Sequence, residues 1–323
     1  MFSSIFIHPG PDTRLDAAIA QRFPQLPRAL VRRGIVSGAA TVNGRVVAKG
    51  GRCHEGDVIA LTDFPELPDL TPQPNPGIAP GVIYEDDALL AFNKPAGLHC
   101  HPNAPEERDT LANGALACWP ELAGIGDSPL MCGILHRIDA GTSGLVLATK
   151  TQDAYDNLRL QFAARTVRKT YLAVVRGKVG APATLRHTLA HHPDKPGHIV
   201  DAKQWWNARH PMLAETSYRP LRALCERDGF ALPATLLEVV IFTGVTHQIR
   251  CQLSLAGFPI FGDDRYGGAS EASRGKTTHG GAPSHHWLHA FSAALAHPVT
   301  QRGITLTAPP PPGFPQPQIK SFA

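Results

Sequence analysis

A carboxylate, a guanidinium and an imidazole fall within one short stretch, His136-Arg137-Ile138-Asp139, which runs on through Ala140-Gly141-Thr142-Ser143-Gly144. The flanking runs Met131 to Leu135 and Leu145 to Ala148 are short, apolar and bounded by glycine or charge, and so read as buried strands with the polar stretch as the turn between them. Two glycines permit backbone conformations that other residues resist, and the Thr142 and Ser143 hydroxyls can tie up local backbone groups, so Asp139 would be held in a fixed pose. Polar turns between strands are also common as plain solvated loops, and these residues alone leave both readings open. Hydrolytic chemistry at Asp139 would call for a paired acid, and none stands out nearby. The 16 histidines raise metal binding, with local clusters at His99-Cys100-His101, His191-His192 and His285-His286. Adjacent side chains diverge on strands and helices, and no second half with regular ligand spacing follows, so no metal site is expected. Neither Gly-x-x-x-x-Gly-Lys-Ser/Thr nor Gly-x-Gly-x-x-Gly occurs, which leaves a nucleotide cofactor without support.

The elements that must carry this turn are spread over 323 residues, room for about two domains. Leu15, Ala18, Ile19 and Phe23 fall near helical spacing, with Asp12 or Thr13 available as cap, and a second short helix is expected over Arg28 to Arg33. Arg28, Arg32 and Arg33 can share a face of that helix. Asn43-Gly44 within Thr41 to Val47 predicts a tight hairpin, and Gly56-Asp57 precedes a strand over Val58 to Leu61. Six prolines between Pro65 and Pro80 predict an extended linker. Beyond it, two strands joined by an acidic turn are expected over Gly81 to Phe92, a helix over Thr151 to Ala164, a strand over Arg165 to Val175 and a closing strand over Ile304 to Thr307. The stretch from Pro309 reads as a proline-rich tail, with a proline-rich ligand as the alternative.

Charge is distributed unevenly. Residues 1 to 60 hold eight Lys and Arg against four Asp and Glu, leaving 23 of each for the remainder, so the whole net charge of +4 sits in the first fifth. A concentrated basic face is the footprint of a nucleic-acid contact, though a solvated charged face also accounts for such a cluster. Six scattered cysteines without a Cys-x-x-Cys pair point to free thiols and a reducing compartment. No basic stretch followed by an apolar one opens the sequence, and no apolar run approaches the roughly 20 residues that span a bilayer, so the expected location is cytoplasmic and off the membrane.

His136 to Lys150 resembles the signature of RluA-type RNA pseudouridine synthases, where Leu is commoner than Ile138. Three further stretches agree in order: Lys94 to Leu98 with His101-Pro102, Lys169-Thr170-Tyr171-Leu172-Ala173, and Thr243 to Arg250 followed by Gly257 to Gly267. Arg14-Leu15-Asp16, Val42-Asn43-Gly44 and Gly56-Asp57 together resemble the small RNA-binding domain named after a ribosomal small-subunit protein. The resemblance implies an α+β protein in which residues 1–62 bind RNA, 63–80 link and 81–308 form a catalytic domain, with 309–323 as a tail. The catalytic domain would carry a mixed, largely antiparallel sheet flanked by helices around a central RNA-binding cleft.

The implied reaction detaches uracil from ribose, turns it and rejoins it through a ring carbon, without a cofactor. The resemblance assigns the nucleophilic or charge-stabilising carboxylate to Asp139, with attack on base or ribose left open. Arg250 would keep that carboxylate ionised and oriented through paired hydrogen bonds. Tyr171 would stack on or abut the extruded uracil and could handle a proton; without the resemblance it reads better as a core or cross-strand aromatic. Arg137 would fill the space the base leaves. Lys94 and His247 would lie against RNA, as would Arg28, Arg32 and Arg33; for His136 and His247, fixing loop conformation is preferred to catalysis. Val245 stands where the family usually has Arg, which implies some loss of phosphate contact or a shifted substrate preference. The expected partner is ribosomal RNA of the large subunit or transfer RNA, with the chain acting as a monomer. The competing reading is a catalytically silent RNA-binding or ribosome-assembly factor on the same fold, against which Asp139, Tyr171 and Arg250 all stand at their motif positions.

Overall fold

The computed structural model describes residues 1–317 apart from 25, 49, 65–71, 231 and 268–284. The chain falls into two compact units, 1–70 and 71–323. In the first unit the elements are β1 (Phe2–Ile7), β2 (Thr13–Arg14), α1 (Leu15–Arg22), α2 (Arg28–Val36), β3 (Ala40–Val42), β4 (Arg45–Val46), β5 (Arg52–Cys53) and β6 (Val58–Phe64). Four strands form an antiparallel sheet in the order β1-β6-β3-β4, and β2 pairs β5. Leu15 and Ile19 of α1, Val31 and Ile35 of α2 and Ile59, Leu61 and Phe64 of β6 bury together as its core. Gly34 faces the Phe64 ring so closely that a Cβ there would lie 2.4 Å from it, which is why α2 carries glycine inside a helix. Asn43 and Gly44 both take positive φ, as a two-residue hairpin of the expected kind requires.

Three expectations need correction here. No element was anticipated before Arg14, yet β1 pairs β6 along its length. The start of α1 has no side-chain cap: Asp12 is engaged by Arg52 at 2.9 Å across the β2–β5 pair, and Arg14 itself precedes the helix, paired to Asp16. Helix α2 runs on to Val36, leaving Ser37 to Ala39 as the connection to β3.

In the second unit come β7 (Val82–Glu85), β8 (Leu89–Lys94), α3 (Leu111–Cys118), β9 (Ser143–Thr149), α4 (Gln152–Ala163), β10 (Arg168–Arg176), β11 (Ala183–His191), β12 (Ile199–Asp201), β13 (Arg209–Leu224), β14 (Ala234–Ile241), α5 (Gln248–Leu255), β15 (Leu288–Ala296) and β16 (Gly303–Thr307). They build a ten-stranded sheet in the order β12-β11-β13-β14-β10-β15-β9-β8-β7, with β16 added along β15. Every pairing is antiparallel except that of β15 with β9, so the sheet is mixed and largely antiparallel. Strand β9 is buried along its whole length, reading as a continuous apolar run because both its faces are covered. The Thr151 hydroxyl accepts from Ala154 N–H and so starts α4.

Met131 to Leu135 is not the strand expected. A 3-10 turn ends at Met131, and Cys132 and Gly133 both take positive φ, which no strand tolerates. The segment nevertheless lies against β9, with Leu135 N–H donating to Leu147 O and Thr149 N–H to Gly133 O. Both proline-rich ends are also more tied down than composition implies. Phe64 is fully buried in the first unit, and Asn113 Nδ2 of α3 donates to Gln73 O at 2.7 Å, while residues 65–71 of the expected linker lie outside the described residues. Pro309 O accepts from Asn93 Nδ2, and Phe314 packs against Trp287 and His289, so the first part of the expected tail covers the second unit's core.

Candidate active site

Residues 136–142 bridge from the segment beside β9 back into β9, and nearly every polar group near Asp139 is engaged. His136 stacks on Phe162 of α4 at 5.3 Å and its Nε2 accepts from Leu147 N–H, so the ring is neutral; desolvation, helped by the Lys169 charge, holds its pKa at about 3. Ile138 hydrogen-bonds through both N–H and C=O to the buried Cys100 thiol. Thr142 N–H closes a turn onto Asp139 O, and Thr142 Oγ1 meets His286 Nε2 at 2.8 Å. His289 Nε2 faces Ala308 O, which can only accept, so Nε2 carries the proton and Nδ1 accepts from the Ser143 hydroxyl. Gly144, with φ near +110°, sits where β9 meets β15, and a Cβ there would fall 2.2 Å from Ala290 O.

Lys94 completes this scaffold and is not available to RNA. It is fully buried, and Nζ donates to Pro95 O, Leu98 O and Ala140 O at 2.9, 2.7 and 3.1 Å, which uses all three of its protons. Burial lowers its pKa to about 8. The expected RNA contact is therefore corrected to a staple that fixes the residue next to Asp139.

Asp139 presents a partly exposed carboxylate to Arg250 of α5, whose Nη1 donates to Oδ2 at 2.7 Å. The paired hydrogen bonds expected between them go elsewhere. Arg250 Nε and Nη2 engage Asp263 Oδ2 and Oδ1 at 2.7 and 2.9 Å, and Asp139 receives the one remaining arm of the fork. Asp263 is fully buried and also accepts from Arg265 and Tyr266 N–H, so it anchors Arg250 from behind; the Tyr266 ring lies 5.2 Å from the guanidinium carbon. In sequence, Asp263 stands within the Gly257 to Gly267 stretch with nothing local to mark it as an anchor. Burial opposes ionisation of Asp139, but His247 and Arg250 outweigh it and bring its pKa below the ordinary carboxylate value. His247 itself is held at about 4, by burial and by Arg250, so near pH 7 the standing positive charge on Asp139 is that of Arg250.

His247 takes positive φ at the start of α5, with Nε2 3.8 Å from Asp139 Oδ1 and Nδ1 2.9 Å from Tyr266 Oη. The Gln248 side chain holds the preceding turn, accepting from the Thr243 hydroxyl and Val245 N–H and donating to Glu215 O. Val245 packs against the cluster formed by Leu189, Ile199, Ala214 and Cys251. Tyr171 on β10 is almost completely buried, and burial together with the Asp139 charge raises its phenol pKa, so it stays protonated.

Asp139, Tyr171, Arg250, Arg137 and His247 all line one open cleft of about 890 Å³. Arg137 is exposed there. Arg159, Arg165 and Lys169, which sequence reading left unassigned, line it too, and Asp139 is its one carboxylate among the described residues. Lys169 Nζ donates to Thr243 O at 2.8 Å and lies 5.4 Å from the centre of the Phe162 ring. Arg28, Arg32 and Arg33 belong to the other unit, where all three are exposed on α2. Among the described residues no group of three or more His, Cys, Asp or Glu side chains is placed to hold a metal ion, and no helix is long and apolar enough to cross a membrane.

A cleft rich in cations around a single ionised carboxylate belongs to a protein that handles a polyanion at a defined point. Residues 88–255 match the family described as RNA pseudouridylate synthase. An RNA pseudouridine synthase of Aquifex aeolicus, itself uncharacterised, is 34% identical over 263 residues, covering 80% of this chain and 78% of that protein. The ribosomal large subunit pseudouridine synthase D of Xylella fastidiosa is 32% identical over 303 residues, 92% of this chain and 86% of that one. In fold, the chain is similar to the human RNA pseudouridylate synthase domain containing 1, with a TM-score of 0.56 at 21% identity over 76% of this chain and 87% of that one. The chain belongs to the RNA pseudouridylate synthase family, isomerases that convert uridine in RNA to pseudouridine.

Proposed function

We propose that this chain isomerises uridines in ribosomal RNA of the large subunit, with Asp139 as the catalytic carboxylate. The observation that carries the reading is the Asp139–Arg250–Asp263 array: one ionised carboxylate in a cationic cleft, aimed by a guanidinium that a buried acid fixes. The choice of RNA is supported by relatives named for the large subunit, such as those of Xylella fastidiosa and Escherichia coli.

The isomerisation breaks the bond between ribose C1′ and uracil N1, forms one between C1′ and C5, moves the C5 proton off and leaves a proton on N1. Asp139 attacks or stabilises the electron-poor centre created when the first bond breaks. Arg250 keeps it ionised before reaction and holds its free oxygen toward the substrate. Tyr171, protonated throughout the accessible pH range, offers a ring face and a hydroxyl to the extruded base. Arg137 fills the vacated stack, and Arg159, Arg165 and Lys169 supply positive potential for flanking phosphates. Extrusion costs a few kcal/mol, and stacking on one aromatic face returns about 1 to 3 kcal/mol of that. The N-terminal unit grips RNA through Arg28, Arg32 and Arg33, and the chain works as a cytoplasmic monomer.

The test is to incubate purified protein with transcripts of large-subunit ribosomal RNA and of transfer RNA and to map pseudouridine in each by mass spectrometry. Pseudouridine in the ribosomal transcript with wild type, and none with Asp139→Asn, is the expected result. Modification of transfer RNA alone would overturn the substrate, and no product in either would favour a catalytically silent factor.

A further inference from the structure

Between β11 and β13 the chain forms an arm, residues 192–208, that carries the sheet's edge strand β12 and two adjacent tryptophans. Trp205, itself 38% exposed, lays its ring 4.2 Å from that of the buried His192. His192 Nδ1 accepts from Asp194 and Lys195 N–H, so the arm is built around these two rings. Asp201 caps the turn after β12 by accepting from Lys203 N–H, and Ala208 N–H closes back onto Trp205 O. Trp206, the next residue, is 96% exposed, more than any other large apolar side chain among the described residues. A solvated indole on a braced turn wastes about as much apolar surface as a side chain can offer, which points to a partner that covers it.

The arm is continuous with the cleft. Met212 and Leu213, a few residues along β13, line the cleft and are themselves more than half exposed. Six residues of chain reach at most about 20 Å, so Trp206 lies within about that distance of the cleft lining at Met212. Tyr266 Oη joins the two regions, accepting from Ile199 N–H of β12 and meeting His247 Nδ1 beside Asp139. Arg265 Nη1 donates to Gly197 O in the same arm. Lys195, Lys203 and Arg209 are exposed in the same segment as Trp206, as is Asp194, while Asp201 is buried in its cap, so exposed cations outnumber exposed acids there by three to one, a balance that suits phosphates.

Resting on the reading that this chain acts on RNA, we propose that the arm is a second RNA contact in which Trp206 stacks on an unpaired base flanking the target uridine, with Lys195, Lys203 and Arg209 on the adjoining phosphates. A planar, exposed ring among cations fits single-stranded RNA, because every base offers a stacking face and the contact needs no sequence code.

The experiment is an anisotropy titration of the full chain with a uridine-rich single-stranded oligoribonucleotide and with a duplex of equal length, alongside sedimentation of the free protein. Trp206→Ala should weaken binding to the single strand by about 5- to 150-fold, Trp206→Phe should recover most of it, and the duplex should be affected much less. The thermal midpoint should not move, since Trp206 buries almost nothing. Wild-type affinity for the single strand in Trp206→Ala, or equal losses on single strand and duplex, would overturn the proposal while leaving the catalytic reading intact. So would a change of oligomeric state in Trp206→Ala, which would assign the indole to a second copy of the chain. A wild-type protein that neither binds these RNAs nor makes pseudouridine would overturn both.

Discussion

At the residue scale the site turns on how one guanidinium divides its hydrogen bonds. Because Arg250 spends its paired donors on the buried Asp263, it reaches Asp139 with a single arm and leaves the other carboxylate oxygen toward the cleft. Asp139→Asn should abolish pseudouridine formation while the fold persists, since the amide still accepts from Arg250 but carries no charge. Arg250→Ala strands two carboxylates, one of them fully buried, and should lower stability by about 3 to 5 kcal/mol as well as activity. Arg250→Lys should recover little of either, because a point charge on a flexible stem cannot serve both acids at once. The pH dependence follows from the same groups. His136, His247 and His286 are partly buried and held neutral by desolvation, with pKa values of about 3, 4 and 4 against 6.5 when unfolded. The unfolded chain therefore binds more protons as pH falls below 6.5, so stability should decline from pH 6.5 toward pH 4, joined at the acid end by loss of the depressed Asp139 and Asp263 carboxylates. Thermal midpoints measured across that range check the sign, and a midpoint that rises on acidification would contradict it.

At the scale of elements, the turn after Leu135 works because distant segments hold it: Lys94 at the end of β8, Cys100, and His286 and His289 at and beside β15. Lys94→Met should lower stability by no less than about 1.5 to 3 kcal/mol, the worth of one hydrogen bond to a charged donor, and should reduce activity by loosening Ala140 beside Asp139. It should leave the salt dependence of RNA binding unchanged; a flatter slope with unaltered stability would return Lys94 to the RNA interface. This also marks how far the site could be read from sequence. Motif order was enough to bring Asp139, Tyr171 and Arg250 into one cleft, and a local signal such as Asn43-Gly44 marked a hairpin. Lys94 was misread because a lysine's surroundings depend on which carbonyls a fold brings to it, here including one 46 residues away. Asp263 was passed over for the same reason: nothing local distinguishes a buried anchor from a solvated acid. Met131 to Leu135 has the composition of a strand, but positive φ at Cys132 is set by the tertiary packing around it. β1, Phe-Ser-Ser-Ile-Phe-Ile, has no regular alternation of polar and apolar residues to mark it without its partner β6.

At the scale of the molecule, the two units divide placement and chemistry. The second holds the cleft carboxylate and its anchors, while the first presents Arg28, Arg32 and Arg33 exposed on α2. Phosphate contacts place a protein on RNA without reading its bases, and each one lost lowers the log-log salt slope of binding by about 0.7 on single strands and 0.9 on duplex. Because β6 continues to Phe64, whose ring fills the first unit's core, a truncation should remove residues 1–70 rather than stop at 62. The truncated chain should bind RNA more weakly and with a flatter salt dependence, yet still form pseudouridine on saturating short RNA, because Asp139, Tyr171, Arg250 and Asp263 all lie beyond the cut. The triple change Arg28→Ala, Arg32→Ala, Arg33→Ala alters only exposed side chains and should leave the thermal midpoint within a degree or two, given that surface substitutions usually move stability by less than about 0.5 kcal/mol. If all three arginines meet phosphates, the slope should fall by about 2 to 3 units. Titrations at several salt concentrations measure this directly, and an unchanged slope in both the triple variant and the truncation would mean that the basic face of the first unit is solvated and that RNA is gripped by the cleft and its arm alone.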